Sequence, residues 1–129
     1  MCINQLKCMK NIFLVEDDAD DQYFFIEALN NIKNTSLFGI ANNGKDALAK
    51  LMHSDLIPDI IFMDVNMPLM NGVECLRIIK RFPRTKHIPV IMLSTAVEQP
   101  QLWQELGAKG YIKKPSDLTL LQTELNRVI

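Results

Sequence analysis

A chain of 129 residues, 48% hydrophobic and 22% charged, is the usual size of one domain, with a single core and no room for a second. Its 14 basic and 15 acidic residues leave a net charge of -1, which gives no electrostatic footprint for nucleic acid. The longest uncharged apolar stretch, Ile88 to Val97, falls far short of the roughly 20 residues of a membrane span and contains Pro89.

Residues 1–10 are expected as an N-terminal extension to a domain spanning 11–129. The extension lacks the continuous apolar region of a secretory signal, so a cytoplasmic location is the default. Cys2, Cys8 and Cys75 include no CxxC pair and read as free thiols, with Cys75 near the core. The first strand is expected over Ile12 to Glu16. A helix from about Asp18 then places Phe25, Ile26, Leu29 and Ile32 on one face, with Asp18 or Asp20 in its first turn. A second strand, Leu37 to Ala41, meets a turn at Asn42-Asn43-Gly44, after which Ala47, Leu48, Leu51 and Met52 face inward on a helix.

The third strand, Asp59 to Asp64, is followed after Gly72 by a helix carrying Val73, Leu76, Ile79 and Phe82, which ends before Pro83. A fourth strand, Ile88 to Ser94, leads to a helix near Gln99 to Leu106 that stops at Gly107. The last strand, Gly110 to Lys113, precedes a helix with Leu118, Leu121, Leu125 and Val128 in register, capped by Ser116. Arg77, Lys80, Arg81, Arg84 and Lys86 read as one solvated helix face and its exit loop.

Strands that are apolar along their length, alternating with helices, define an α/β fold: a doubly wound, five-stranded parallel sheet with helices on both faces. The flavodoxin-like order 2-1-3-4-5 would bring the end of the first strand beside that of the third. Glu16, Asp17 and Asp64 then become neighbours. Two carboxylates at ~4 Å repel by about 4 kcal/mol at an effective dielectric of about 20, so the cluster calls for a proton or a cation. Mg2+ suits it, because that ion takes a few carboxylates and leaves positions for phosphate oxygens. On the far side, Lys114 is placed to balance charge on a phosphoryl group, and Ser94, with Thr95 beside it, offers a hydroxyl.

Each residue has a plainer reading. Glu16-Asp17-Asp18 suits any helix N-terminus, Asp64 suits a turn before Asn66 and Pro68, and Ser94 suits a cap. Tyr111 and Trp103 suit packing, while His53 and His87 read as surface residues. Convergence at one sheet edge favours the chemical reading of the acids and the lysine.

From about Asn11 to Ile129 the sequence resembles the receiver domains of two-component response regulators. The resemblance is carried by Val15-Glu16-Asp17-Asp18, Met63-Asp64-Val65-Asn66-Met67-Pro68 with Asn71-Gly72, Leu93-Ser94-Thr95-Ala96, and Tyr111-Ile112-Lys113-Lys114-Pro115. It implies that Asp64 is the phospho-acceptor and that Asp17, Asp64 and the Asn66 carbonyl hold Mg2+, with Glu16 acting through a water. It also implies that Ser94 and Lys114 contact the phosphoryl group and that Tyr111 changes rotamer with Ser94. The donor would be a histidine kinase or histidine phosphotransfer protein. The output would be a protein effector met by the fourth helix, fifth strand and fifth helix, and a homodimer is a further option; no nucleic-acid or membrane partner is expected.

Three positions depart from the commonest pattern of the family. Glu16 stands where aspartate is frequent, Thr95 where a smaller residue is frequent, and Ser116 where an aromatic is frequent. With Thr95 narrowing access to Asp64 and Ala96 unable to orient water, a long-lived phosphorylated state is expected. The rival readings are a haloacid-dehalogenase-like phosphatase, a flavin or nucleotide binder, and an unphosphorylated interaction module. The phosphatase would want a second aspartate where Asn66 stands. The binder would want a glycine-rich loop where Asp18-Ala19-Asp20-Asp21 stands.

Overall fold

The structure, a computed structural model, describes residues 9–129. Strands β1 (Lys10–Val15), β2 (Thr35–Ala41), β3 (Ile60–Asp64), β4 (Val90–Ser94) and β5 (Gly110–Lys113) form one all-parallel sheet in the order β2-β1-β3-β4-β5. Between and after them lie helices α1 (Ala19–Leu29), α2 (Gly44–His53), α3 (Gly72–Ile79), α4 (Pro100–Glu105) and α5 (Leu118–Val128). The doubly wound fold and its strand order are as expected from the sequence. Of the extension expected at residues 1–10, the part up to Cys8 lies outside the described residues, and Lys10 already opens β1.

Because side chains alternate along a strand, the apolar runs split into two layers. Ile12, Leu14, Phe62 and Leu93 pack with Phe25 and Leu29 of α1 and Leu121 and Leu125 of α5. Phe13, Val15, Met63 and Met92 pack on the other face with Leu51 of α2, Cys75, Leu76 and Ile79 of α3, and Trp103 of α4. At about 1.5–3 kcal/mol for each large apolar side chain removed from water, these two layers hold the sheet between its helices. The Cys75 thiol belongs to this core, where burial pushes its pKa up to about 12 and keeps it unreactive.

Helix ends follow local chemistry. Asp18 caps α1 by accepting from the Asp21 N–H at 3.0 Å, and Asn43 caps α2 in the same way through the Asp46 N–H. Asn71 and Glu74 form a reciprocal capping box on α3. Gly107, at φ +106, closes α4 as a Schellman turn, with its N–H on the Gln104 carbonyl and the Ala108 N–H on the Trp103 carbonyl.

Some boundaries differ from expectation. Helix α3 ends at Ile79, and Phe82 is 45% exposed in the turns that follow. Those turns are fixed otherwise: the buried Thr85 hydroxyl donates to the Ile79 carbonyl at 2.7 Å, and the Lys80 ammonium donates to the Ile88 carbonyl at 2.7 Å. Arg84 likewise donates to the carbonyls of Leu51 and Ser54. Two members of the basic cluster are thus structural ties. The cap of α5 is Asp117, which accepts from the Thr119 N–H, and Ser116 is exposed outside it. Ile26 is only partly buried; Ala28 takes the inward place instead.

Candidate functional site

Alternation also decides where the polar residues at the strand ends point. Asp64 continues the face of Phe62, while Glu16 and Lys114, one residue beyond β1 and β5, continue the faces of Leu14 and Ile112. All of those apolar residues belong to the α1/α5 layer. The ladder holds this geometry past the strands, since the Glu16 N–H donates to Ala41, the Val65 N–H to Leu93 and the Lys114 N–H to Ser94.

The Lys114 ammonium lies 2.7 Å from Glu16 Oε1, 3.2 Å from Asp64 Oδ1 and 3.1 Å from Asp21 Oδ2. Glu16 and Asp64 are buried, at 2% and 5% exposure. Carboxylate oxygens of Glu16, Asp17 and Asp64 lie within 4.8 Å of one another, with Asp17 on the exposed side. An all-oxygen set of this size, open to solvent on one side, fits a hard divalent cation such as Mg2+.

Burial raises Glu16 to about 8, with the neighbouring Asp64 carboxylate adding to it and Lys114 opposing it. Burial raises Asp64 as well, against the pull of Glu16 and Lys114. Burial alone would lower Lys114, but its bond to Glu16 and the charges of Asp64 and Glu16 outweigh that, and the ammonium is held above its ordinary range. At neutral pH without a metal, Glu16 keeps a proton that it shares with Asp64.

This has a measurable consequence. A carboxyl whose folded pKa lies above its unfolded value of 4.5 adds stability below that value and loses it as pH rises towards about 8. The metal-free protein is therefore expected to melt several degrees lower at pH 8.5 than at pH 5.5, a difference that added Mg2+ narrows, with tighter Mg2+ binding at the higher pH. A melting temperature flat over this range, by calorimetry with chelator present, would refute the shared proton.

Backbone packing fixes Asp64 in place. The Gly72 N–H donates to Val65 at 2.9 Å, and a Cβ on Gly72 would overlap the Asp64 carbonyl oxygen and lie 2.9 Å from the Asp64 carbonyl carbon. On the other side, Gln22 Nε2 donates to the Glu16 carbonyl at 2.6 Å and to Asn42 Oδ1 at 2.9 Å, tying α1 to the ends of β1 and β2.

The remaining predicted residues have surroundings of their own. Ser94 continues the face of Met92, in the opposite layer. It is buried, donates to the Ala96 carbonyl at 2.6 Å, and lines a cavity of about 90 Å3 with Val65, Asn66, Val73 and Trp103. Asn66 is exposed on the β3–α3 loop, where Leu69 adopts φ +67. Tyr111 is 43% exposed, its ring edge-on to Trp103 at 6.0 Å. Trp103 is buried as expected, and His53 and His87 are exposed as expected. Sequence reading missed Asp21, Gln22 and Gly72. An acid in the first turn of α1 with no basic residue near it in sequence gives no sign of a lysine ninety-odd positions away.

A sheet of this order with three acids and a lysine at its carboxyl edge defines a signalling receiver. The sequence profile of the response regulator receiver domain matches residues 12–126, and the chain belongs to that family. It is similar to a probable cyclic di-GMP phosphodiesterase of Vibrio cholerae, 35% identical over 117 residues that make up 89% of this chain. The chain spans about a quarter of that relative's length. Among solved structures, the phosphorylated cyanobacterial phytochrome response regulator RcpA superposes with a TM-score of 0.84 at 32% identity, covering 93% of this chain and 91% of that one. The Mn2+-bound response regulator Rcp1 superposes with a TM-score of 0.80 at 30% identity, covering 92% and 91%. Among the described residues, no helix is long and apolar enough to cross a membrane.

Proposed function

We propose that Asp64 accepts a phosphoryl group from the phosphohistidine of a histidine kinase or histidine phosphotransfer protein. The observation that carries this reading is the Lys114 ammonium seated between Asp64 and Glu16, with Asp17 within ligand distance of both acids. A carboxylate oxygen of Asp64 forms the new P–O bond as the donor's P–N bond breaks, and its electron pair leaves with the imidazole. Little covalent work falls to the protein in such a transfer, so positioning and charge neutralisation supply the catalysis.

Glu16, Asp17 and Asp64 would hold Mg2+, with the Asn66 carbonyl as a further oxygen, and the ion supplies neutralisation of the phosphoryl oxygens. Lys114 already points its ammonium at Asp64 and meets a phosphoryl oxygen there with a short move. Support for the ion and the phosphoryl group comes from similar response regulators solved with Mn2+ bound and in the phosphorylated form. Ser94 donates to Ala96, so its part in holding the phosphoryl group requires that bond to open. Such a change next to Trp103 and Tyr111 would alter the surface of α4, β5 and α5 that a protein effector reads; the shift is worth only the difference in contacts between two states.

The reading is tested by incubation with a small phosphodonor and Mg2+ under intact-mass measurement. One phosphoryl group is expected per chain, absent when a chelator is added. No mass increment at any donor concentration would sink it. With Thr95 narrowing access and Ala96 apolar, the label is expected to persist for minutes or longer after donor removal; decay within seconds in Mg2+ would contradict that. Phosphate-ester turnover is not expected, because Asn66 offers no second acid.

A further inference from the structure

Three carboxylates surround the Lys114 ammonium: it donates to Glu16 and to Asp21, and pairs with Asp64 at 3.2 Å. Two of these acids belong to the strand ends of the site already described. Asp21 comes from the third position of α1, and how its side chain is spared for the lysine is visible in the capping geometry.

An acid at this position of a helix ordinarily reaches back to the N–H of the capping residue, as Glu74 does to Asn71 on α3. On α1 that bond is made by another group. The Asp18 N–H donates to Glu16 Oε2 at 3.3 Å, so Asp21 is released from the capping role while its own N–H remains tied to Asp18 Oδ1. The backbone of Asp21 is thereby held by the cap, and its carboxylate meets Lys114 beside a small cavity that both line with Glu16, Phe24, Phe25 and Leu121.

Resting on the phosphoryl-transfer reading above, we propose that Asp21 is a positioning residue: it holds the Lys114 ammonium from the α1 side, so that the ammonium meets an incoming phosphoryl group already aimed at Asp64. Glu16 and Asp64 alone leave the ammonium free to swing about the line joining them. A third anchor outside that line removes the swing. Asp21 is half-exposed, and its carboxylate bonds to Lys114 and not to Asp64, so its effect passes through the lysine.

The test uses Asp21→Asn, which keeps the shape and removes the charge, and Asp21→Glu. Labelling by a small phosphodonor at saturating Mg2+ is expected to slow about two- to five-fold in Asp21→Asn, the range a half-exposed ion pair commands. The melting temperature is expected to stay near that of the parent. In a Lys114→Ala background, Asp21→Asn is expected to cause no further slowing, and Asp21→Glu in the parent to recover part of the rate. In the unlabelled protein, the Lys114 ammonium is expected to exchange its protons with water faster in Asp21→Asn, by nitrogen-detected NMR. An unchanged labelling rate, an equal slowing with and without Lys114, or unchanged ammonium exchange would each overturn the assignment. If the parent protein takes no label at all, the phospho-acceptor reading itself falls and this reaction role for Asp21 falls with it, whereas a labelled parent with an unaffected variant refutes Asp21 alone.

Discussion

Asp64→Asn is expected to take no label from a phosphodonor that labels the parent to one group per chain, and at the same time to melt at a higher temperature than the parent. The first effect follows because an amide offers no anionic oxygen to phosphorus, while its size and planar shape leave the pocket otherwise unchanged. The second follows from electrostatics. Glu16 and Asp64 are both buried beside a single ammonium; burial raises the pKa of each, and the neighbouring Asp64 raises that of Glu16 further. Once Glu16 ionises at alkaline pH, removing the Asp64 charge relieves a repulsion of up to about 4 kcal/mol at ~4 Å, and costs one of Lys114's carboxylate partners. The variant is therefore expected to melt higher at pH 8 without metal, since Lys114 keeps Glu16 and Asp21 as partners while two buried carboxylates no longer oppose each other. The Mg2+-dependent rise in melting temperature should shrink in the variant. Labelling of Asp64→Asn to the parental level would place the acceptor elsewhere, and a large drop in melting temperature would refute the electrostatic account.

Gly72→Ala should be among the most damaging one-carbon changes in the chain. The added methyl meets the carbonyl oxygen and carbon of Asp64 and, at 3.0 Å, Met63 Cγ. Those carbonyl atoms are backbone of β3, the central strand, held on both sides by β1 and β4, so they have no room to give way. The strain is relieved only by pushing α3 outward, which breaks the bond from the Gly72 N–H to Val65 and disturbs the Asn71–Glu74 capping box. Overpacking of this kind costs about 1–3 kcal/mol, and the lost hydrogen bond adds about 1 kcal/mol, so a fall in melting temperature on the order of 10 °C is expected. Labelling should slow more than stability alone explains, because the segment displaced with α3 is the loop that leaves Asp64 and carries Val65 and Asn66. A variant that melts within a degree or two of the parent would show that the α3 terminus yields freely.

The two predictions concern residues of unequal visibility in the sequence. Asp64 stands out because an apolar run ends in acid, and the same signal marks Glu16 and Asp17. Lys114 is fixed by the proline after it. Which way these side chains face was not legible, for a physical reason: both faces of the sheet are buried, so the strands read as unbroken apolar runs and the period of two leaves no trace. Ser94 therefore looked equivalent to its neighbours at the strand ends, yet it points into the layer of Trp103 and Val73 and bonds to Ala96. Gly72 carries no pattern of its own, since its necessity comes from a carbonyl eight positions earlier that only the folded loop brings close. The end of α3 was misplaced because Phe82 continues the helical spacing, whereas the Arg81 N–H turns to the Ile78 carbonyl and the Thr85 hydroxyl takes the Ile79 carbonyl, so the helical ladder stops there. Ser116 and Asp117 are both good caps, and only the observed bond to the Thr119 N–H separates them.

Trp103 is the only tryptophan in the chain, and it forms the wall between the cavity at Ser94 and the ring of Tyr111. Indole emission depends on the polarity and the quenching groups around the ring, and all of the emitting indole here sits at that one wall. The protein thus carries a built-in optical probe whose colour and lifetime report on a single junction, with no second indole to dilute it. A rearrangement linking the strand ends to the outer aromatic surface would be recorded in real time, without a dye, a label or a partner protein.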